Sequence, residues 1–272
     1  MAPDFHENGY TILPGFFDKA TQIEPIRNGI REIIAAVAEK HGVEAHCETA
    51  ETAMTQGIMA LVHADRSFAA EVYDAVKQIP SFLRLVSDVA CEDIFAKLRV
   101  GSTPGLAAGG YGIRMDLPVE EKFRAYWHQE FPAQLRSLDG IVFWSPLRTI
   151  TPDLGPVEIC PGSHKAGVVP VINDAGSVGR SGAYALRLEN EADILTKYEP
   201  VAPLPKTGDL ILMDFLTLHQ SGRNAAQMPR WSMQWRYFNF SDPVGRKIGW
   251  KGSFAAGVDF ASVLPELKGQ QS

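Results

Sequence analysis

The segment Tyr126-Trp127-His128-Gln129-Glu130 sets an imidazole and a carboxylate two residues apart. On extended backbone such side chains leave the same face, so His128 and Glu130 can reach one point. A second imidazole, His219, ends the strongest apolar stretch, Asp209 to Leu218, and precedes the turn residues Gln220-Ser221-Gly222. Two imidazoles and one carboxylate are the ligand set of non-haem Fe(II) oxygenases, which leaves three metal positions open for chemistry. Arg230 follows His219 by eleven residues, with Ser232 two positions on. A guanidinium fork and a hydroxyl on one strand face match a carboxylate. Together these residues point to a dioxygenase that takes 2-oxoglutarate as a dicarboxylate cosubstrate. Each part alone has a plainer reading. His-x-Glu also occurs on solvent-facing strands, and Arg-x-Ser also pairs with acids elsewhere.

Two rival functions share these residues. One is a metal-dependent hydrolase, with zinc on the same ligands and Glu130 or a neighbour activating water. The other is a non-catalytic jelly-roll binding protein that keeps the ligands as relics. Neither needs a dicarboxylate clamp, so Arg230 and Ser232 favour the oxygenase. There is no Gly-x-Ser-x-Gly elbow and no convincing Cys–His pair, and the oxygenase chemistry needs no protein nucleophile.

The elements that must position these groups change in texture at about residue 100. Before it, helical patterns dominate. Asp18 is placed to cap a helix running to about Lys40, with Ile23, Ile26, Ile30, Ile33, Ile34 and Val37 on one face and Gly42 as the stop. A second helix is expected from Ser67 to about Lys77. A third follows Pro80 and carries Phe82, Leu85, Val86 and Val89. After residue 100, strands are expected at Leu138 to Leu147, Pro156 to Cys160, Asp209 to Leu218 and Arg230 to Phe240. The last alternates, with Trp231, Met233, Trp235 and Tyr237 on one face and Arg230, Ser232, Gln234 and Arg236 on the other. A polar face on a central strand suggests a binding cavity rather than a dry core. The aromatic face reads as core.

Many short strands with Gly and Pro turns suggest a β-sandwich or jelly roll, mainly β with N-terminal helices. The expected organisation is a single domain over 1–272: helical support to about 100, a jelly-roll core at about 100–245, and a tail at 246–272. Gly101 to Gly112 reads as a mobile loop at the cavity mouth, and Asn173 to Gly182 as a second candidate lid.

The composition narrows the partners. The chain has 272 residues, 45% hydrophobic and 21% charged, and a formal net charge of −6. No basic stretch offsets that charge, which argues against nucleic acid. No run approaches a membrane span. Cys47, Cys91 and Cys160 show no paired spacing, and no signal peptide is evident, so a reducing, cytoplasmic setting is expected. The oligomeric state is not legible.

Four segments, in order, resemble the phytanoyl-CoA dioxygenase family, which includes ectoine hydroxylase. They are Phe5 to Phe16 at the opening, Trp127-His128-Gln129-Glu130, Gly155 to Lys165 with its Pro-Gly-Ser-His block, and His219 to Asn224 followed by Arg230. The resemblance covers most of the chain. It implies a double-stranded β-helix, a cupin-like jelly roll. It implies Fe(II) on His128, Glu130 and His219, with 2-oxoglutarate chelating it and its far carboxylate on Arg230. Ser232 and Ser221 become helpers at the cosubstrate, and Gln134 and Trp144 cavity residues. Dioxygen is the oxidant, a small-molecule metabolite the substrate, and succinate and CO2 the co-products of C–H hydroxylation. One residue departs from the pattern: the family's usual Asp is Glu130 here. A carboxylate there also argues against a halogenase, which keeps a small residue so that chloride can bind. His164 is expected to be structural, His6, His41, His46 and His63 to be surface groups, and Arg114 and Arg124 to be surface charges beside the approach to His128.

Overall fold

The computed structural model describes residues 2–173 and 185–250. The expected lid beyond Asn173 and the tail beyond residue 250 lie outside the described residues. Before residue 100 the helices are α1 (Ala2–Asn8), α2 (Glu24–His41), α3 (Ala50–Thr52), α4 (Ile58–Ala64), α5 (Arg66–Val76), α6 (Pro80–Val86) and α7 (Val89–Leu98). The isoleucine spacing builds α2 where expected. Asp18 accepts the Thr21 amide at 2.8 Å and opens a π-helical turn, Lys19–Ile23, that leads into α2. Gly42, at φ 64°, ends it in a left-handed conformation that glycine adopts without a Cβ clash. Ile26, Ile30, Ile34 and Val37 are buried. Each contributes roughly 1.5–3 kcal/mol relative to exposure.

The helix expected to continue from Pro80 through Val89 stops earlier. Asp88 accepts the Ala90 amide at 2.9 Å and starts α7, which leaves Val89 68% exposed. An aspartate that competes for backbone amides starts a helix rather than sitting inside one.

The strands, in chain order, are β1 (Tyr10–Leu13), β2 (Pro104–Leu106), β3 (Gly112–Asp116), β4 (Ile141–Pro146), β5 (Val157–Ile159), β6 (Val171–Asn173), β7 (Leu186–Leu188), β8 (Leu210–Asp214), β9 (His219–Ser221) and β10 (Arg230–Asn239). A six-stranded sheet runs β1-β8-β4-β10-β2, with β3 also on β10, and all its pairs are antiparallel. Smaller sheets pair β5 with β9 and β6 with β7.

The alternation of β10 sorts the interior. Trp231, Met233, Trp235 and Tyr237 pack with Ile26, Phe82 and Phe95 in one core, so the helices cover the outer face of the large sheet. Trp231 Nε1 donates to the Met54 carbonyl at 2.8 Å, which ties β10 to that helical layer. On the inner face, Val142, Trp144, Ile211 and Met213 join Val157 and Ile159 of β5 in a second core. Two sheets thus face each other with helices outside, a cupin-like jelly roll. No closed barrel forms among the described residues.

Two expected segments are corrected. Asp209 to Leu218 is not one strand, because Asp214 Oδ1 accepts the Leu216 amide at 2.7 Å and turns the chain after β8. Gly101 to Gly112 is not all loop, because β2 pairs there with Tyr237 to Asn239. Among the described residues, no helix is long and apolar enough to cross a membrane.

Candidate metal centre

A two-residue antiparallel bridge brings the histidines together. The His128 amide donates to the His219 carbonyl and the His219 amide returns the bond, each at 3.1 Å. The ring centroids then lie 4.3 Å apart. Glu130 does not continue a strand, as its spacing from His128 suggested. Its amide donates to the Phe215 carbonyl at 2.9 Å, and it is the first residue of a short helix, α8 (Glu130–Ala133). Gln129 between them is extended and fixed. Its amide nitrogen donates to the Gly167 and Leu216 carbonyls at 2.8 and 2.7 Å, and its oxygen accepts the Val169 amide at 2.7 Å. The result is that one donor atom from each of His128, Glu130 and His219 lies within 4.8 Å of the others.

The protonation state suits a cation. His128 Nδ1 lies 2.7 Å from the Tyr126 carbonyl, and His219 Nδ1 2.9 Å from the Thr217 carbonyl. A carbonyl only accepts, so each Nδ1 carries the proton and each Nε2 keeps the lone pair a metal needs. Burial, then His128, lowers the His219 pKa to about 3. Burial also lowers that of His128. Burial alone would raise Glu130, but Arg236 and then His128 outweigh it and hold the carboxyl below its usual range. Two neutral imidazoles and one carboxylate are the form that binds a divalent first-row metal.

Arg236 is the residue the sequence left without a role. Its Nε and Nη2 donate to the two Glu130 oxygens at 3.0 and 3.2 Å. Its partner is 106 residues away along the chain, so the pairing emerges only with the fold.

Arg230 is 1% exposed. Its Nη2 donates to Asp116 Oδ2 at 2.8 Å and to Ser221 Oγ at 3.1 Å, and Nη1 donates to the Gly155 carbonyl. Gly155 turns at φ 69°, where an added Cβ would come 2.5 Å from the Arg223 carbonyl carbon, so the loop can only be this close with glycine. Asp116 also accepts Arg114 at 2.7 Å. Two guanidiniums therefore share one carboxylate. Arg230 Nε and Ser232 Oγ are buried without a hydrogen-bond partner. Arg114, expected as a surface charge, is buried in this cluster because β3 lies in register with β10, Arg114 opposite Ser232. Arg124 does stay part-exposed, paired with Glu121 at 2.7 Å.

A cavity of about 810 Å³ runs from the three candidate ligands to Arg114 and Ser221. That is within the usual span for small-molecule sites, roughly 300–1,000 Å³. His128, Glu130, His219, Ser221, Gln134 and Trp144 border it, with Arg114, Gln234, Arg236 and Gly109 to Gly112. Arg230 and Ser232 lie behind that wall rather than on it. His164 sits apart in a turn, with Nε2 3.1 Å from the His6 carbonyl, and His41 is 2.9 Å from Glu71.

The sequence matches the family described as phytanoyl-CoA dioxygenase (PhyH) over residues 5–232. The ectoine dioxygenase of Sphingopyxis alaskensis is 25% identical in an alignment of 172 positions that covers 58% of this chain and 54% of that protein. The chain thus spans about half the length of this curated relative. Among solved structures, EctD from S. alaskensis with bound Fe is 21% identical with a TM-score of 0.57, covering 89% of this chain and 76% of its own. The α-ketoglutarate-dependent carbocyclase SnoK from nogalamycin biosynthesis is 17% identical with a TM-score of 0.54, over 88% and 82%. AviO1 from Streptomyces viridochromogenes Tue57 is 15% identical with a TM-score of 0.55, over 89% and 95%. These likenesses establish the fold.

Proposed function

This chain belongs to the phytanoyl-CoA dioxygenase family, and on that premise we propose that it is an Fe(II)- and 2-oxoglutarate-dependent oxygenase that hydroxylates an unactivated C–H bond of a small molecule. The observation that carries the reading is the convergence of His128, Glu130 and His219 within 4.8 Å beside a cavity. In this reading those three residues hold the iron. Iron and 2-oxoglutarate, when bound, supply the activation of dioxygen and the oxidising power, with succinate and CO2 released.

The chain's own contribution is positional. The Tyr126 and Thr217 carbonyls fix both imidazole rings by holding their Nδ1 protons. Arg114 and Ser221 on the cavity wall, with Arg230 and Ser232 directly behind them, form the receptor for the far carboxylate of 2-oxoglutarate. The buried, unpartnered Arg230 Nε and Ser232 Oγ support this assignment, because a carboxylate can accept from both. Val142, Trp144 and Met213 give the cavity an apolar wall that limits water near the reacting bond. Gln134 offers an amide that can orient a polar group of the substrate. The name of the curated relative, ectoine dioxygenase, is in keeping with a small-molecule substrate. A zinc hydrolase on the same ligands would leave the Arg230–Ser232 pair without a task.

The test is 2-oxoglutarate consumption by the Fe(II)-loaded protein in air, against a metabolite panel. Succinate should form, and one panel member should gain one oxygen atom. Failure to consume 2-oxoglutarate under all conditions, with ester or amide hydrolysis on zinc, would contradict the proposal.

A further inference from the structure

Glu130 already has a cation. Arg236 grips both carboxylate oxygens, and the two side chains are 11% and 3% exposed. Other contacts hold the guanidinium in place: Nη1 donates to the Gly110 carbonyl at 3.1 Å and Nη2 to Gln234 Oε1 at 3.3 Å. A carboxylate has about four lone-pair sites. The arginine uses two, so a metal can bind Glu130 without breaking the pair.

The groups behind the two histidines are hydrogen-bond acceptors, which make the rings better donors to a metal. Arg236 acts in the opposite sense. It draws charge from Glu130 and fixes a positive charge beside a site for a dication. Burial leaves that repulsion weakly screened by salt. Losing Arg236 would also free one glutamate side chain, but rotamer freedom is a small effect beside charge repulsion at this range.

Building on the reading above, we propose that Arg236 is a counter-charge that weakens metal binding to the bare site and makes tight binding depend on the dianionic cosubstrate. With Arg236 present, the Glu130 charge is already balanced. A divalent ion then adds two positive charges with no anion beside them, until the near carboxylate of 2-oxoglutarate, whose far carboxylate lies on Arg230, cancels one. Without Arg236, Glu130 itself cancels one of them. Arg236 is thus a positioning residue that acts through Glu130.

The experiment titrates the full chain with Co(II) by calorimetry, with and without 2-oxoglutarate, following the Co(II) visible spectrum to check that the ligand set is unchanged. Without cosubstrate, Arg236→Gln should bind Co(II) at least about tenfold more tightly than wild type. Arg236→Lys, which keeps the charge, should stay close to wild type. 2-Oxoglutarate should tighten Co(II) binding by at least about tenfold more in wild type than in Arg236→Gln. Equal or weaker Co(II) binding by Arg236→Gln would overturn the inference, since the guanidinium would then only order Glu130. Should that variant not fold, wild type decides: absence of any tightening by 2-oxoglutarate overturns it. If wild type takes up no Co(II), the metal-centre reading and this inference both fall. If it does and charge at position 236 has no effect, only this inference does.

Discussion

Arg230 and Arg236 share strand β10 and its inner face, and each has an acidic partner of its own, yet the charge around them differs. At the Arg230 end, Asp116 accepts from Arg114 at 2.7 Å and from Arg230 at 2.8 Å, so two cations share one acid. At the Arg236 end, one arginine meets one glutamate beside two imidazoles that burial keeps neutral. The first end carries surplus positive charge and suits an incoming anion. The second has none to spare, and an incoming cation arrives uncompensated. An arginine–carboxylate pair is thus net positive in one setting and balanced in the other, depending on how many charges surround it.

The largest expected effect breaks the Arg230 end. Asp116→Asn leaves Arg114 and Arg230 buried side by side without their acid. Urea unfolding at pH 7 should show a loss of about 3–5 kcal/mol. The pH dependence follows from the carboxyl. Burial works to raise the Asp116 pKa, but Arg114 and Arg230 outweigh it and hold it well below the usual range. Its contribution is therefore present above the unfolded value of about 3.9 and is lost as pH falls below that. The gap between wild type and Asp116→Asn should narrow below about pH 4. Equal stability at pH 7 would mean that this end is not a charge cluster held by its acid.

A smaller effect separates the two ends. Arg230→Ala should weaken 2-oxoglutarate binding about a hundredfold, near 2.7 kcal/mol, and leave Fe(II) affinity nearly unchanged. Unchanged 2-oxoglutarate affinity would move the receptor elsewhere. The smallest effect sharpens the same point. Ser232→Ala removes a hydroxyl that is buried without a partner, so stability should stay within about 0.5 kcal/mol or rise slightly. Its 2-oxoglutarate affinity should fall about fivefold, the worth of one hydrogen bond near 1 kcal/mol. No change in affinity would place Ser232 outside the receptor.

Where local chemistry decides structure, the sequence was readable. Asp18 and Gly42 bound a helix by capping and by a left-handed stop, and the two-residue alternation of β10 sorted core from cavity. Where partners lie far apart along the chain, it was not. The His128–His219 bridge has no local signal, so spacing alone reads Glu130 as strand, whereas it opens a helical turn. Asp116 carries no local signal, because its partner Arg230 is 114 residues away. Arg236 was seen on the polar face, but only the fold supplies its glutamate. Two corrections had readable signals. Asp88 and Asp214 each sit inside an apolar run, and each carboxylate takes a nearby amide that ends the element before it. The family motifs point to the three side chains that converge, since spacing and order suffice there. They do not point to Arg236 on Glu130 or to Asp116 between Arg114 and Arg230.

The central claim is that His128, Glu130 and His219 share one divalent ion. The direct test is anaerobic Fe(II) titration with metal analysis of wild type and of His128→Ala, Glu130→Ala and His219→Ala. Wild type should bind one Fe(II) per chain, and each single variant should lose more than the roughly 10–100-fold in affinity typical of a residue that merely supports a ligand. Undiminished Fe(II) binding in any of the three variants would contradict the account.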